Sequence, residues 1–145
     1  MNKTIELLRQ LQADSLVLFM KIHNFHWNVK GSDFYQVHSA TEAIYGEFAT
    51  MFDDLAELVA QMGEVPVITL SEALQVAKIK EESKKSFTSK EVFAAIAQDY
   101  TYLLENFKKL SQFADENNDK PVANYADEKI SSLQKSLWML KAAQA

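Results

Sequence analysis

The chain contains no cysteine among its 145 residues, and only three glycines and two prolines interrupt it. Without cysteine, neither a disulfide framework nor a thiolate metal site can form, so any metal site must use imidazole and carboxylate ligands. No stretch approaches the roughly 18 apolar residues of a membrane span, and residues 1–6 lack the basic start and apolar run of a signal peptide. We therefore expect a soluble, cytoplasmic protein.

Cationic residues are also scarce, and the formal net charge is -5 at pH 7. Because phosphate neutralisation by Lys and Arg supplies most non-specific affinity for nucleic acid, this balance argues against a generic polyanion binder. The first fifteen residues hold only two cations, Lys3 and Arg9, and so form no basic arm. The densest cationic stretch, residues 78–85, mixes both signs and is predicted to be a solvated surface segment.

Apolar residues recur at intervals of three and four along four long stretches, which is typical of amphipathic helices. The predicted fold class is therefore all-α. With 48% hydrophobic residues, the chain is long enough for one core, and we expect a single domain over residues 1–145. The long helices are predicted over about residues 4–28, 33–62 and 88–115, and from about residue 119 through Leu140.

Residues 64–87 form the one long connection, between the second and third long helices. A short helix is predicted there at residues 71–77, where Thr69-Leu70-Ser71-Glu72 has the spacing of a capping box. A second capping box at residues 88–91, and Asp119 before Pro121, predict the starts of the last two long helices. Four long helices with one crossover of this length describe a ferritin-like four-helix bundle.

Four potential metal ligands on the second predicted helix form two pairs with i,i+4 spacing. The first pair is His38 and Glu42, the second is Asp53 and Glu57, and the two are symmetric about a point between residues 47 and 48. Each pair projects from one helical face. Fifteen residues at a rise of roughly 1.5 Å separate the pairs by about 22 Å, so no single ion joins them within one chain. The symmetry therefore predicts a metal site shared between two chains.

The two pairs lie roughly 150° around the helix from its apolar stripe, so they should face away from the protomer's own core. Gly46, Ala49 and Ala56 share this outward face, and small residues allow two helix backbones to approach closely. An antiparallel helix pair with a two-fold axis between residues 47 and 48 would bring the first pair of one chain beside the second pair of its mate, giving two identical sites. The alternative, that these polar side chains are simply solvated, stays open.

Two further histidines lie on the first predicted helix. His26 falls within its apolar stripe, where a hydrogen-bonded core histidine is the common explanation. That stripe nevertheless covers about half the helix, more than the roughly 100° needed for one core, so the helix is expected to face a neighbour as well. His23 is expected to pack or to orient another residue. Two imidazoles with two or three carboxylates and open positions suit Fe(II) better than a closed structural zinc site.

Oxidisable rings lie near these histidines. Trp27 follows His26 directly, and Tyr35 and Tyr45 lie along the second helix. They are candidates for a redox role beside a peroxide-consuming centre, although aromatic residues at helical spacing more often serve packing. Both interpretations stay open.

The chain resembles the Dps family, the mini-ferritins named as DNA-binding proteins from starved cells, and looks nearest to their neutrophil-activating-protein branch. The resemblance rests on the runs HWNVKG (residues 26–31) and DDLAE (residues 53–57), with Phe34 and His38 between them. It extends over nearly the whole chain, from residues 11–14 through 69–73 to 135–140. It implies a four-helix bundle assembled as a hollow homododecamer of two-fold dimers, with ferroxidase centres at the dimer interfaces.

By the same resemblance, the catalytic metal ligands are His26 and His38 from one subunit and Asp53 and Glu57 from the other, with Glu42 as an assisting metal ligand. The metal is iron. The implied reaction is oxidation of Fe(II), preferentially by hydrogen peroxide, with storage of ferric mineral in the cavity, which limits hydroxyl-radical production and protects DNA. The Glu-x-x-His pair of ordinary ferritins is absent, which disfavours a di-iron site inside one bundle.

The resemblance also implies, less specifically, that Asp127 lines an iron-entry pore and that Glu47 and Glu57 face the cavity. Some members of the family hold DNA with a Lys-rich terminal tail, which this chain lacks. Direct DNA binding would therefore have to use a local patch on the surface of an assembled shell. Two alternatives stay open: a nucleoid-associated protein that coats DNA and has secondary ferroxidase activity, and an oligomer whose outer surface engages another protein or cell.

Overall fold

The computed structural model describes residues 2–145, so Met1, the first residue of the predicted domain, lies outside the described residues. Within them, the elements are α1 (Lys3–Asn28), β1 (Val29–Lys30), α2 (Phe34–Gln61), α3 (Leu70–Val76), β2 (Phe87–Thr88), α4 (Ser89–Glu116) and α5 (Lys120–Gln144). All four long helices are found at the predicted places, and the short α3 lies in the crossover between α2 and α4. The all-α prediction is confirmed.

The described chain divides into two compact units, residues 2–7 with 93–145 and residues 8–92. The second unit contains nearly all of α1, the whole of α2 and the crossover. On α2 the buried side chains recur every three or four residues, as a helix with one interior face requires. They are Val37, Thr41, Phe48, Met51, Leu55 and Val59. Ile44, three residues after Thr41, is only half-buried.

The opposite face of α2 is the one on which the two ligand pairs were predicted. Glu42, Asp53 and Glu57 are exposed there, and His38 is half-buried. Gly46 and Ala49 are exposed between the pairs. The predicted outward orientation of the carboxylates is therefore confirmed for the protomer.

Two buried polar side chains of α1 hold the crossover in place. The Gln12 side chain donates to the Val67 carbonyl and accepts from its N–H, both at 2.9 Å. The fully buried Asp14 carboxylate accepts from the N–H groups of Lys78 and Ile79 at 2.7 and 2.9 Å. Because buried polar groups are stable only when hydrogen-bonded, these contacts fix the backbone on both sides of α3 relative to α1.

A short parallel strand pair, absent from the sequence-based prediction, joins the end of α1 to the end of the crossover. Val29 pairs with Phe87, and Lys30 pairs with Thr88. The Phe87 ring meets the edge of Phe25 with centroids 5.0 Å apart. Strands of two residues carry no readable alternation of polar and apolar positions, so periodicity could not predict them.

The predicted helix caps are found, with one difference. Thr69 accepts from the Glu72 N–H at 3.1 Å, but the Glu72 carboxylate bonds to Arg9 instead of returning to the cap. At the start of α4 the box is complete: Glu91 accepts from the Thr88 N–H at 2.9 Å, and Thr88 accepts from the Glu91 N–H at 3.1 Å. Asp119 accepts from the Val122 N–H at 3.2 Å and caps α5.

Glu91 makes the capped start of α4 sensitive to acid. Its hydrogen bond with Lys84, followed by those with Thr88, lowers the pKa of Glu91 from 4.5 to about 2. A carboxylate with a lowered pKa in the folded state stabilises the fold above its unfolded pKa, and this contribution is lost as the pH falls. The contribution of Glu91 should therefore fade between about pH 4.5 and pH 2.

We predict that Glu91→Gln lowers the thermal unfolding temperature at neutral pH and that this deficit shrinks as the pH falls from 4.5 to 2. Circular dichroism melts at a series of pH values measure it. Glu105→Gln is the matched control, since it removes a carboxylate of the same helix whose Lys108 partner lies 3.8 Å away. A deficit that does not change with pH would contradict the assigned role.

Candidate metal centre

Three potential metal ligands converge where α1 passes into α2. His26 lies in the last turn of α1, and His38 and Glu42 lie in the first turns of α2. One ligand atom from each lies within 4.8 Å of the others. Between the helices the chain reverses at Gly31, whose φ of +134° belongs to a region that only glycine adopts without strain. This tight reversal places His26 opposite His38.

Each of the two imidazole rings is hydrogen-bonded to the backbone of the other histidine. Their rings stack with centroids 3.6 Å apart and 15° between planes. The Nδ1 atom of His26 lies 2.8 Å from the His38 carbonyl, and the Nδ1 atom of His38 lies 2.9 Å from the His26 carbonyl. Because a carbonyl oxygen only accepts, each Nδ1 must donate. In a neutral imidazole this leaves the Nε2 lone pair free, the arrangement that orients histidine as a metal ligand.

The His26 imidazole is well suited to stay neutral, because this residue is buried and only 6% exposed. Burial is the main cause that lowers the pKa of His26 below its ordinary 6.5, and nearby His38 acts in the same direction, while the backbone bond to His38 and the charge of Glu42 oppose it. A lowered pKa means that the unprotonated ring predominates at neutral pH. Since only unprotonated imidazole binds a metal ion, His26 is prepared for ligation.

Thr41 adds a third anchor that sequence reasoning missed. Its fully buried hydroxyl lies 3.0 Å from Nδ1 of His26 and donates to the Val37 carbonyl at 2.8 Å. The available signal was its position three residues after His38, inside the otherwise apolar stripe of α2. Thr41 therefore fixes the orientation of the His26 ring without facing the ligand side.

The second predicted pair lies farther along α2. Asp53 and Glu57 are both exposed. The charge of Asp53, followed by its hydrogen bond to Glu57, raises the pKa of Glu57 above its ordinary 4.5. Repulsion of this kind is relieved by a cation, so the pair can act as a carboxylate ligand set. One protomer thus brings together His26, His38 and Glu42, but it leaves Asp53 and Glu57 about 22 Å away, at roughly 1.5 Å of rise per residue.

The helical face between the two ligand pairs is open. A Cβ atom added to Gly46 would meet no other atom within 4 Å. Ala49 beside it is also exposed. This surface can accept a second helix at short distance, and the predicted two-fold pairing across it stays a prediction.

The remaining candidates occupy separate places. His23 packs against aromatic rings, as expected from its position on α1. Asp127 is exposed on α5 and accepts a hydrogen bond from Ser111 at 2.6 Å. Glu47 is exposed on α2. The pore role of Asp127 and the cavity role of Glu47 stay predictions.

We predict that Thr41→Val weakens Co(II) binding about tenfold, at the low end of the roughly 10- to 100-fold losses seen when the partner of a metal-binding histidine is removed. The low end is expected because His26 keeps its bond to the His38 carbonyl. Isothermal titration calorimetry measures the affinity. Thr101→Val, which removes a similar hydroxyl-to-carbonyl bond on α4, is the matched control, and equal effects of the two changes would contradict the role of Thr41.

Comparison with known proteins places this arrangement in a family. A family model described as the ferritin-like domain matches residues 5–144. The "DNA protection during starvation protein" of Helicobacter pylori is 56% identical over 140 residues, which cover 97% of each chain. The crystal structure of Helicobacter cinaedi CAIP superposes with a TM-score of 0.97 at 55% identity, covering 99% of this chain and 100% of that one.

A more distant structure gives the same result. The Dps protein from Vibrio cholerae O1, described as "a member of a broad superfamily of ferritin-like diiron-carboxylate proteins", has a TM-score of 0.94 at 26% identity and covers 99% of this chain and 89% of that one. The fold and the ligand types define a ferritin-like protein. Within that class, the chain belongs to the Dps family, as its sequence motifs predicted. No helix among residues 2–145 is long and apolar enough to cross a membrane.

Proposed function

We propose that the protein oxidises Fe(II), preferentially with hydrogen peroxide, at centres shared between two subunits, and stores the ferric mineral inside a hollow cytoplasmic homododecamer. The observation that supports this most is the His26/His38/Glu42 cluster, with two imidazoles fixed so that their Nε2 lone pairs are free. Imidazole and carboxylate together suit Fe(II), and the set is open for further ligands.

The sharing of each centre follows from the division of ligands along α2. The cluster offers three groups, and the exposed pair Asp53 and Glu57 offers two more at the other end of the outward face. An antiparallel α2 pair about the point between residues 47 and 48 joins the cluster of one chain to the carboxylate pair of its mate. The two-fold axis then generates two equal centres.

The chemistry also accounts for the name that the Helicobacter pylori relative carries. One peroxide molecule accepts two electrons on reduction to water, and two Fe(II) ions supply them. Oxidation in pairs therefore removes both reactants that would otherwise form hydroxyl radical. Consumption of these reactants protects DNA without requiring that the protein bind it.

Coating of DNA is the weaker alternative for this chain. The net charge of -5 opposes accumulation on a polyanion. The lysines of residues 78–85 stand among carboxylates, and Lys84 is engaged by Glu91. A protective action through iron and peroxide fits these charges better than one through phosphate contacts.

We predict that the double variant His26→Ala and His38→Ala loses rapid Fe(II) oxidation by peroxide, because both fixed imidazole ligands are removed. Stopped-flow absorbance of ferric iron measures it. The double variant Gln36→Ala and Ser39→Ala changes two exposed neighbours of His38 on α2 and should keep the activity.

Circular dichroism and particle mass show whether a variant that has lost Fe(II) oxidation is still folded and assembled. The exposed substitutions Asp53→Asn and Glu57→Gln provide a second test, since they remove the carboxylate side of the centre with little risk to the core. The proposed centre would be refuted if the His26/His38 variant and the Asp53/Glu57 variant both formed folded, assembled particles that consume peroxide at the native rate.

We predict that Gly46→Trp abolishes both assembly and ferroxidase activity, whereas Gly46→Ala keeps them. The protomer has room at this position, so a bulky ring should leave its fold intact and block only the approach of a second α2. Alanine adds only a methyl group and should favour the helix by about 1 kcal/mol. Mass measurement in solution together with iron oxidation tests this, and an active dodecamer of the Trp variant would show that the interface lies elsewhere.

A further inference from the structure

The orientation of both imidazole ligands depends on the last turn of α1. His26 belongs to that turn, and its ring bonds to the His38 carbonyl. The carbonyl of His26 in turn accepts the Nδ1–H of His38 at 2.9 Å. This carbonyl is available because α1 ends at Asn28, and the last four carbonyls of a helix have no partner within it. Opening of this one turn would therefore displace both rings at once.

Contacts from outside the helix hold the end of α1. Such contacts matter because the terminal turns of helices open more readily than their interiors. They come from residues 82–88, the last part of the crossover, which we call the brace. Within the brace, β2 pairs with β1 directly after α1, and the Phe87 ring packs against Phe25. The chain is thus held by the brace just before and just after His26.

Asn24 joins the brace to the same turn through its side-chain amide. Its Nδ2 donates to the carbonyls of Glu82 and Lys84, at 2.9 and 3.0 Å. Because both partners are carbonyls, the nitrogen of the amide must face them, and both of its protons are used. The Oδ1 atom accepts from Nδ2 of Asn28, one helical turn later, at 2.7 Å. These bonds span the position of His26 along the helix and tie its turn to a second segment.

The brace has contacts of its own that fix its shape. The Lys84 N–H donates to the Glu82 carboxylate at 3.0 Å. The Lys84 ammonium bonds to Glu91 at the start of α4 and lies 5.6 Å from the centre of the Phe87 ring. The two carbonyls that Asn24 bonds to therefore belong to a segment anchored on α4.

Packing between α1 and the brace is incomplete beside Asn24. A cavity of about 290 Å³ lies between them, lined by Val17, Met20, Lys21, Asn24 and residues 81–85. Side chains that leave such a space cannot hold the two segments in register by close contact alone. The hydrogen bonds of Asn24 therefore carry the connection at this point.

We propose that Asn24 is a positioning residue of the metal centre, which ties the last turn of α1 to the brace and so keeps the His26 and His38 rings in the ligating orientation. The inference rests on the proposed function for the identity of the metal. The orientation of the rings, however, is a property of the metal-free chain and can be measured without iron.

The size of the effect follows from the population of the closed turn. A hydrogen bond in a folded protein typically favours the bonded arrangement several-fold, so loss of both bonds to the brace should make opening of the turn roughly tenfold more frequent. Apparent affinity falls with the fraction of molecules that can bind. Because the β1–β2 pair and the Phe25–Phe87 contact remain, we expect Co(II) binding to weaken about fivefold. This is less than the loss expected for Thr41→Val, which removes a bond to the His26 ring itself.

The first experiment reads the imidazole tautomers in metal-free assembled protein by solid-state nitrogen NMR with isotope-labelled histidine, at mildly alkaline pH. The chain has only three histidines, so single substitutions assign every signal. All three native rings should carry the proton on Nδ1, where each bonds to a carbonyl. Asn24→Asp keeps the side-chain shape but removes both donors. It should give mixed tautomers at His26 and His38 and leave His23, one turn before Asn28 is reached by Asn24, unchanged.

Two further variants complete this experiment. Asn117→Asp is the matched control, since Asn117 follows the end of α4 and its Nδ2 donates to the Phe113 carbonyl at 2.8 Å. Asn24→Ala removes the same donors as Asn24→Asp without adding a charge. Native tautomers at His26 and His38 in both Asn24 variants would overturn the proposal. An equal change at His23 would also overturn it, because the effect would then belong to the whole of α1.

The second experiment measures Co(II) binding to the assembled protein by isothermal titration calorimetry and visible absorption. Asn24→Asp should bind about fivefold more weakly but show the native visible spectrum at saturation, because its ligands are unchanged. Affinity equal to that of Asn117→Asp, or an altered spectrum at saturation, would contradict a positioning role. If iron oxidation survives in the His26→Ala/His38→Ala protein, the proposed centre fails, while the tautomers still decide whether Asn24 holds the rings.

Discussion

The reciprocal bonds between His26 and His38 are the constraint on which the site depends. Each ring donates through Nδ1 to the backbone carbonyl of the other residue. This exchange is possible only because the chain reverses tightly at Gly31 and the β1–β2 pair holds the end of α1. It sets the tautomer of both rings at once. The ligand geometry is therefore built into the connection between two helices and requires no metal to form.

One protomer holds only part of the proposed metal centre. His26, His38 and Glu42 are gathered at one end of α2, while Asp53 and Glu57 stand exposed at the other, with a raised pKa of Glu57 that reflects an uncompensated pair of carboxyls. The face between them carries an open glycine. These features make the proposed chemistry a property of two chains, so that assembly and activity should be gained or lost together.

Much of this could be predicted from sequence, because helical periodicity and capping residues act locally. The four long helices, α3 and the Thr88/Glu91 box were all predicted, and so was the outward face of α2. The two-residue strands, the role of Thr41 and the stacking of His23 on Tyr45 were not. Those depend on how a turn and particular rotamers bring distant positions together, which spacing along one helix does not reveal.

Complementation between two inactive chains tests the shared centre most directly. One chain carries His26→Ala and His38→Ala, the other carries Asp53→Asn and Glu57→Gln, and the two are unfolded, mixed in equal amounts and reassembled. A mixed two-fold dimer contains one intact and one doubly defective centre, so random pairing should restore about a quarter of the native number of active sites. Recovery of Fe(II) oxidation to that level is the predicted result. A mixture as inactive as either parent, in particles shown by mass spectrometry to contain both chains, would contradict the account.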